Sequence, residues 1–167
     1  MRVLILSIGA ILGVALQATW LAGLNFPGNI VPDLILIMVI SYSLLRGPDE
    51  GLFFGLAAGL FLDLVAGGVI GIQTLSKSFA GFSAGLLEKT IFKDNLLVPV
   101  IATFVGTLVF ESLSVLMHLS FHGNYHFGLL LISAILPLAL YNAAFAPVIY
   151  RLFLKMERFV AERSGNL

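Results

Sequence analysis

Three ionisable side chains stand inside long apolar stretches of this sequence: Asp63, Lys77 and Glu111. A charge in apolar surroundings either does chemistry, as in a proton relay or a substrate site, or pairs with an opposite charge to fix how helices pack. Because each helical residue advances about 1.5 Å, Asp63 and Lys77 are expected at similar depth on antiparallel neighbouring helices. We predict that they form a structural ion pair. Glu111 is expected to be protonated, to bond a nearby serine, or to share Lys77 with Asp63.

Glycines accompany these charges at a regular spacing. In two consecutive stretches they recur at every fourth position, which places them along one face of each helix. Such faces let two helix backbones approach closely, either within the chain or with a partner's helix. We favour internal packing, because each stretch offers the other a complementary groove. The two stripes are Gly51, Gly55, Gly59 and Asp63 in the first stretch, and Gln73, Lys77, Gly81 and Gly85 in the second.

The remaining residues that could bind a ligand or take part in a reaction give weaker signals. His118, His122 and His126 could align their imidazoles for a metal on one helix, but Gly123 and Asn124 interrupt that helix. The histidines are therefore interpreted as part of an aromatic-rich loop. The chain contains no cysteine, which excludes disulfides and thiolate sites. Since the sequence offers no nucleophile–base pair and no phosphate-binding loop, we predict no catalytic residue, no cofactor and no metal.

The composition indicates which kind of element holds these residues. Of the 167 residues, 59% are hydrophobic and 11% are charged, and the mean hydropathy is +1.06. A soluble domain carries about 25% charged residues, so this chain is predicted to be an integral membrane protein. The formal net charge of zero argues against a role in nucleic-acid binding.

Short polar breaks divide the chain into six apolar segments, which predicts a single-domain, all-α bundle of six transmembrane helices. Segments two and three are short for a span. A re-entrant hairpin, however, would bury the charged residues Arg46, Asp49 and Glu50 in hydrocarbon. Two true spans are therefore lower in free energy. The predicted spans are about 3–24, 31–45, 51–66, 70–87, 96–119 and 127–150, followed by a basic tail at 151–167.

The positions of lysine and arginine predict the orientation. With six spans and the N-terminus inside, every basic residue except Lys77 falls on the cytoplasmic side, which is the positive-inside pattern. Both termini are therefore expected in the cytoplasm. The residues on that side are Arg2, Arg46, Lys89, Lys93, Arg151, Lys155, Arg158 and Arg163.

Local signals add detail to several helices. Pro32 and Asp33 are expected to start the helix of segment two, where a carboxylate suits the positive N-terminal end. Asn142 is expected to form an interhelical hydrogen bond. Pro137 and Pro147 should bend segment six. The basic tail has an amphipathic pattern and is interpreted as a cytoplasmic helix lying along anionic headgroups.

The order of these features resembles a known family. It consists of Pro32-Asp33-Leu34, then Arg46-Gly47, then Gly51, Gly55, Gly59 and Asp63 in the pattern GxxxGxxxGxxxD, then Gly71, Leu75 and Gly81. In this order the residues resemble the bacterial rod shape-determining protein MreD family. The resemblance implies a multi-pass protein of the bacterial cytoplasmic membrane, with a bundle similar to the substrate-binding subunits of energy-coupling-factor vitamin transporters. It carries over no catalytic residue, and it implies a structural or interface role for Asp33, Gly55, Gly59 and Asp63.

The resemblance also implies a function. That function is a non-enzymatic scaffold of the cell-elongation complex, which binds the single-span periplasmic protein MreC and is linked indirectly to the actin-like MreB and the peptidoglycan synthases. Two other classes stay open. A vitamin-type transporter subunit would need a polar, aromatic-rich pocket near its outer face, and an enzyme acting on lipid-linked precursors would need clustered acids or histidines in a polar cleft. The outer-half polar residues that could serve are few: Asp63, Gln73, Thr74, Lys77 and Glu111.

Overall fold

The computed structural model describes residues 30–66, 69–88, 95–122 and 127–163, and all regular structure in these ranges is helical. Segments two to six of the sequence all lie in these ranges, whereas the predicted first span, 3–24, lies outside them. The elements are α1 (Leu34–Arg46), α2 (Pro48–Ala66), α3 (Ile72–Gly85), α4 (Leu97–His122), α5 (Phe127–Leu130), a π-helical turn (Leu131–Ile135) and α6 (Leu136–Arg163).

Helix α1 lies at the centre of the bundle. It contacts α2, α3, α4 and α6, and ten of its 13 residues are buried. A helix that is apolar on all sides is stable only when other elements cover all of those sides. At 13 residues α1 is about 20 Å long, which is shorter than the hydrocarbon thickness of a bilayer. Its role in the fold is therefore to form the core against which the longer helices pack.

The break between α1 and α2 is shorter than predicted. The sequence indicated a polar turn from Arg46 to Glu50, but only Gly47 separates the two helices. Gly47 has φ 92° and ψ 179°, a conformation that is essentially restricted to glycine. Its N–H donates to the Ser43 carbonyl at 2.8 Å, and Pro48 opens α2, where its missing N–H costs nothing. One glycine thus joins the two helices into a hairpin.

The helix of segment six continues into the basic tail. The helical stretch runs from Phe127 to Arg163 without a break at residue 150, so the described part of the tail belongs to the same helix. The π-helical turn ends at Ile135, two residues before Pro137. Proline has no N–H for an α-helical bond, and its ring would clash with the carbonyl four residues earlier. A widened turn removes that clash. Pro147 is accommodated inside α6.

The outward faces of these helices are apolar. Phe53, Leu64 and Ile132 are 68%, 64% and 69% exposed, and many other large apolar side chains on α2, α3, α4 and α6 are exposed as well. Two helical stretches, Leu97–His118 and Phe127–Phe159, are long and apolar enough to cross a membrane. Such a surface would be unfavourable in water and is typical of contact with lipid.

Candidate functional site

The polar centre of the bundle is the ammonium group of Lys77. This side chain is 1% exposed, and its Nζ lies 2.7 Å from Asp33 Oδ2 and 2.7 Å from Gln73 Oε1. Glu111 of α4 lies close enough to interact electrostatically with both Lys77 and Asp33. We refer to Asp33, Gln73, Lys77 and Glu111 as the charge cluster.

The ion pair between Lys77 and Asp33 is what makes this burial tolerable. A buried ammonium is costly unless an opposite charge and hydrogen-bond acceptors surround it, and here Asp33 and Gln73 supply both at 2.7 Å.

Asp33 connects the charge cluster to three further elements. Its Oδ1 accepts from the Leu36 N–H at 3.0 Å, so Asp33 caps α1 at the position that the sequence indicated. The Asp33 N–H donates to Asn142 Oδ1 of α6 at 2.8 Å. Asn142 Nδ2 in turn donates to Thr107 Oγ1 of α4 at 3.1 Å, which is the interhelical role expected of this asparagine. With Lys77 on α3, these bonds join α1, α3, α4 and α6 at one point.

The predicted ion pair between Asp63 and Lys77 is wrong, because Lys77 pairs with Asp33 and Asp63 binds the start of α3. Asp63 Oδ2 accepts from the Gly71 N–H at 2.8 Å, the Thr74 N–H at 3.0 Å and the Thr74 hydroxyl at 2.6 Å. Its Oδ1 accepts from the Gln73 N–H at 3.0 Å. The first N–H groups of a helix have no intrahelical acceptor and carry the positive end of the helix dipole, so they compete with an ammonium for a carboxylate.

The two glycine stripes pack against each other within the chain. A Cβ at Gly59 would lie 2.5 Å from the carbonyl oxygen of Gln73, a separation that real Cβ atoms essentially never show. The contact is with backbone, which cannot turn aside as a flexible side chain can, so α2 and α3 meet with no room for a larger residue. The contacting pairs are Gly51 with Gly81, Gly55 with Lys77, Gly59 with Gln73, and Gly85 with Pro48.

A second polar cluster, which the sequence analysis missed, joins α1, α2 and α6 at the other end of the bundle. Arg46 Nε lies 3.2 Å from Glu50 Oε2, and Arg46 Nη1 lies 3.6 Å from Glu157 Oε2. The Tyr42 hydroxyl donates to the Glu50 carboxylate, and the Tyr42 ring centroid is 6.0 Å from that of Phe153. The spacing of Arg46 and Glu50 by four residues was an available signal. The contact with Glu157 required the tertiary structure.

Of the three histidines in the sequence, the structure describes the side chain of one. His118 is exposed on α4, whereas His126 and the side chain of His122 lie outside the described part of the chain. Within the described ranges, no three His, Asp or Glu side chains are grouped so that they could hold a metal ion.

The groove between α1, α3 and α4 is apolar. It has a volume of about 350 Å³, and its lining includes Ile40, Ala80, Val105 and Phe110, with Ser83 as the polar contributor. Among the described residues, no charged side chain lines this groove. The charges of the described interior are thus engaged with one another and with backbone, an arrangement that holds helices in register.

Comparison with known proteins identifies the family. Searches of curated proteins and of solved structures give no significant match. The model of the family described as rod shape-determining protein MreD matches residues 1–160, which include the charge cluster and both glycine stripes. This match confirms the resemblance that the residue order indicated. The chain belongs to the rod shape-determining protein MreD family.

Proposed function

We propose that this protein is a non-enzymatic membrane scaffold of the bacterial cell-elongation complex and that it binds the single-span periplasmic protein MreC. Membership of the MreD family suggests a role in rod shape determination within the Mre system, which favours a protein as the binding partner. Through MreC, the scaffold would be linked to MreB and to the peptidoglycan synthases.

The observation that carries this proposal is the internal use of the buried polar groups. Lys77 pairs with Asp33, Glu111 lies close to both, and Asp63 binds the backbone of α3. A site that acts on a substrate or carries one across a membrane must expose such groups to a cavity. Here they join helices, and the large exposed side chains that are left for a partner are apolar. Apolar outer faces of this kind suit contact with another transmembrane helix.

A substrate-binding subunit of a vitamin-type transporter is not favoured. The polar residues that could have lined its pocket are engaged within the bundle. Asp63, Gln73, Thr74 and Lys77 are bonded to one another or to backbone, and Glu111 lies close to Lys77. The groove of about 350 Å³ between α1, α3 and α4 has an almost wholly apolar lining, whereas such a pocket needs convergent polar groups to orient its ligand.

The proposed topology has six spans with both termini in the cytoplasm. The contact between Arg46 and Glu157 places the turn between α1 and α2 at the same end as the basic part of α6, in agreement with the positive-inside pattern. The charge cluster and the Asp63 cap then lie toward the periplasmic side. The protein would therefore be a multi-pass protein of the bacterial cytoplasmic membrane.

In-cell photo-crosslinking tests the partner. A photo-reactive amino acid is placed singly at the exposed positions Phe53, Ile101 and Ile132, and at the buried position Ile37 as a matched control, in cells whose rod shape depends on this protein. We expect capture of MreC from at least one exposed face and none from Ile37. Restoration of rod shape by variants that capture no MreC at any outward position would contradict the proposal.

Labelling of single cysteines tests the topology. Asn25→Cys and Asn124→Cys are expected to react with a membrane-impermeant thiol reagent added to intact cells, whereas Asp49→Cys and Lys93→Cys should react only after lysis. Because the natural chain has no cysteine, each signal is unambiguous. Labelling of Asp49→Cys in intact cells would overturn the proposed orientation.

A further inference from the structure

A basic pocket opens where the start of α4 meets the C-terminal part of α6. It has a volume of about 260 Å³ and is lined by Leu96, Arg151, Leu154, Lys155 and Arg158. The three cations follow one another at spacings of four and three residues, which places them on one face of α6. Leu96 and Leu154 pack against the hydrophobic core and form the apolar part of the lining.

Two of the three cations of this pocket, Arg151 and Lys155, carry charge that no described carboxylate neutralises. In the described part of the chain, neither Arg151 nor Lys155 has a carboxylate within 4.0 Å. The nearby acid Glu157 is directed to Arg46, at 3.6 Å, on another face of α6. In addition, Leu96 immediately precedes the first residue of α4, so the positive end of that 26-residue helix lies beside the pocket. The pocket therefore attracts an anion.

The surroundings specify an amphipathic anion. Leu97 and Leu152 flank the pocket in sequence and are 66% and 57% exposed, so an occupant meets apolar surface as well as charge. Both helices that form the pocket are long and apolar enough to cross a membrane, and the pocket lies close to the ends of their apolar stretches. Free phosphate would leave the apolar flanks uncovered, and a soluble acidic peptide would have to enter at the level of the lipid headgroups.

We propose that the basic pocket binds the phosphate of an anionic phospholipid, with the acyl chains lying against the exposed leucines. Arginine and lysine bind phosphate through charge-assisted hydrogen bonds, and basic pockets between transmembrane helices on the cytoplasmic side hold anionic headgroups. This site goes beyond the scaffold function and does not depend on the binding of MreC. Its consequence is a preference of this protein for membrane regions rich in anionic lipid.

Native mass spectrometry of the full-length protein in detergent tests the site. Dioleoylphosphatidylglycerol or dioleoylphosphatidylcholine is added at equal concentration, and the lipid that stays bound is counted. The test variant is Arg151→Gln with Lys155→Gln, which leaves Arg158 in place. Its charge-matched control is Arg2→Gln with Lys89→Gln. A second variant, Arg151→Lys with Lys155→Arg, preserves the charge of the pocket.

We expect the wild-type protein to retain phosphatidylglycerol in preference to phosphatidylcholine. Removing each cation should weaken phosphatidylglycerol binding about fivefold, hence about 25-fold for the double variant, while the matched control and the charge-preserving variant stay close to wild type. Helicity and melting of each variant are measured in the same detergent, so that a loss of binding is interpreted only for folded protein.

Three outcomes would overturn the proposal. Undiminished phosphatidylglycerol binding by the folded glutamine variant would show that the lipid binds elsewhere. An equal loss in the matched control would show diffuse attraction to overall charge. Binding of inorganic phosphate or of a polyglutamate peptide that depends on Arg151 and Lys155, without any preference for phosphatidylglycerol, would assign the pocket to a soluble anion. If the double glutamine variant does not fold, the single variants Arg151→Gln and Lys155→Gln decide the matter, because each should lose about fivefold in phosphatidylglycerol binding and undiminished binding by both would overturn the proposal.

Discussion

Replacing Lys77 with methionine is expected to destabilise the bundle strongly. The ammonium lies 2.7 Å from Asp33 Oδ2 and is 1% exposed, so its removal leaves the Asp33 carboxylate buried without a counter-ion. Breaking a buried ion pair by removing one partner typically costs about 3–5 kcal/mol, and Lys77→Met should lower the free energy of unfolding by that amount. Methionine approximates the aliphatic part of lysine, so lost packing contributes little.

The informative experiment is a double-mutant comparison. In the Lys77→Met background, Asp33→Asn removes the unpaired charge while retaining a side-chain oxygen for the N–H of Leu36, since asparagine is also a favoured helix cap. We expect the double variant to recover to within about 1–2 kcal/mol of wild type, because replacing both members of a buried pair is often nearly neutral. Asp63→Asn in the same background should bring no recovery, since Asp63 binds the start of α3 instead.

Unfolding in mixed micelles, titrated with sodium dodecyl sulfate and followed by helical circular dichroism, measures these free energies. Recovery by Asp63→Asn with none by Asp33→Asn would refute the assignment and favour the ion pair expected from the sequence. A Lys77→Met protein as stable as wild type would refute the structural role of the charge cluster altogether. The pairwise coupling between Lys77 and Asp33 is the decisive number, and we expect it to exceed about 2 kcal/mol.

The same titration tests three further features. Gly55→Leu should abolish most folded protein, because the leucine side chain would overlap the backbone of α3. Ala57→Leu, on the exposed side of α2, should be tolerated. Equal stability of the two variants would refute the close packing of α2 and α3. Asp63→Ala leaves three N–H groups without their acceptor and should lower the free energy of unfolding by more than about 2 kcal/mol. Thr74→Val removes only the hydroxyl bond and should lower it by about 1 kcal/mol. The reverse order would contradict the capping role of Asp63. Gly47→Ala should cost about 1–3 kcal/mol through its positive φ, and an unchanged stability would show that the turn relaxes.

Features that depend on neighbours along the chain could be predicted from the sequence. The composition identified a membrane protein, because too few charged residues exist to cover a surface in water. The four-residue spacing of glycine placed Gly55 and Gly81 on helix faces suited to close contact, and the Pro32-Asp33 pair marked the start of α1. The family too was recognisable from the order of such local motifs.

Features that depend on how helices are placed relative to one another could not be predicted. Similar depth suggested Asp63 as the partner of Lys77, but depth does not specify which carboxylate faces the ammonium, and the free N–H groups of α3 offered Asp63 another set of donors. The central position of α1 and the contact of Arg46 with Glu157 likewise follow from three-dimensional packing. Helical periodicity determines which residues share a face, whereas the rotation and offset of each helix, set by backbone contact such as that at Gly59, decide what that face meets.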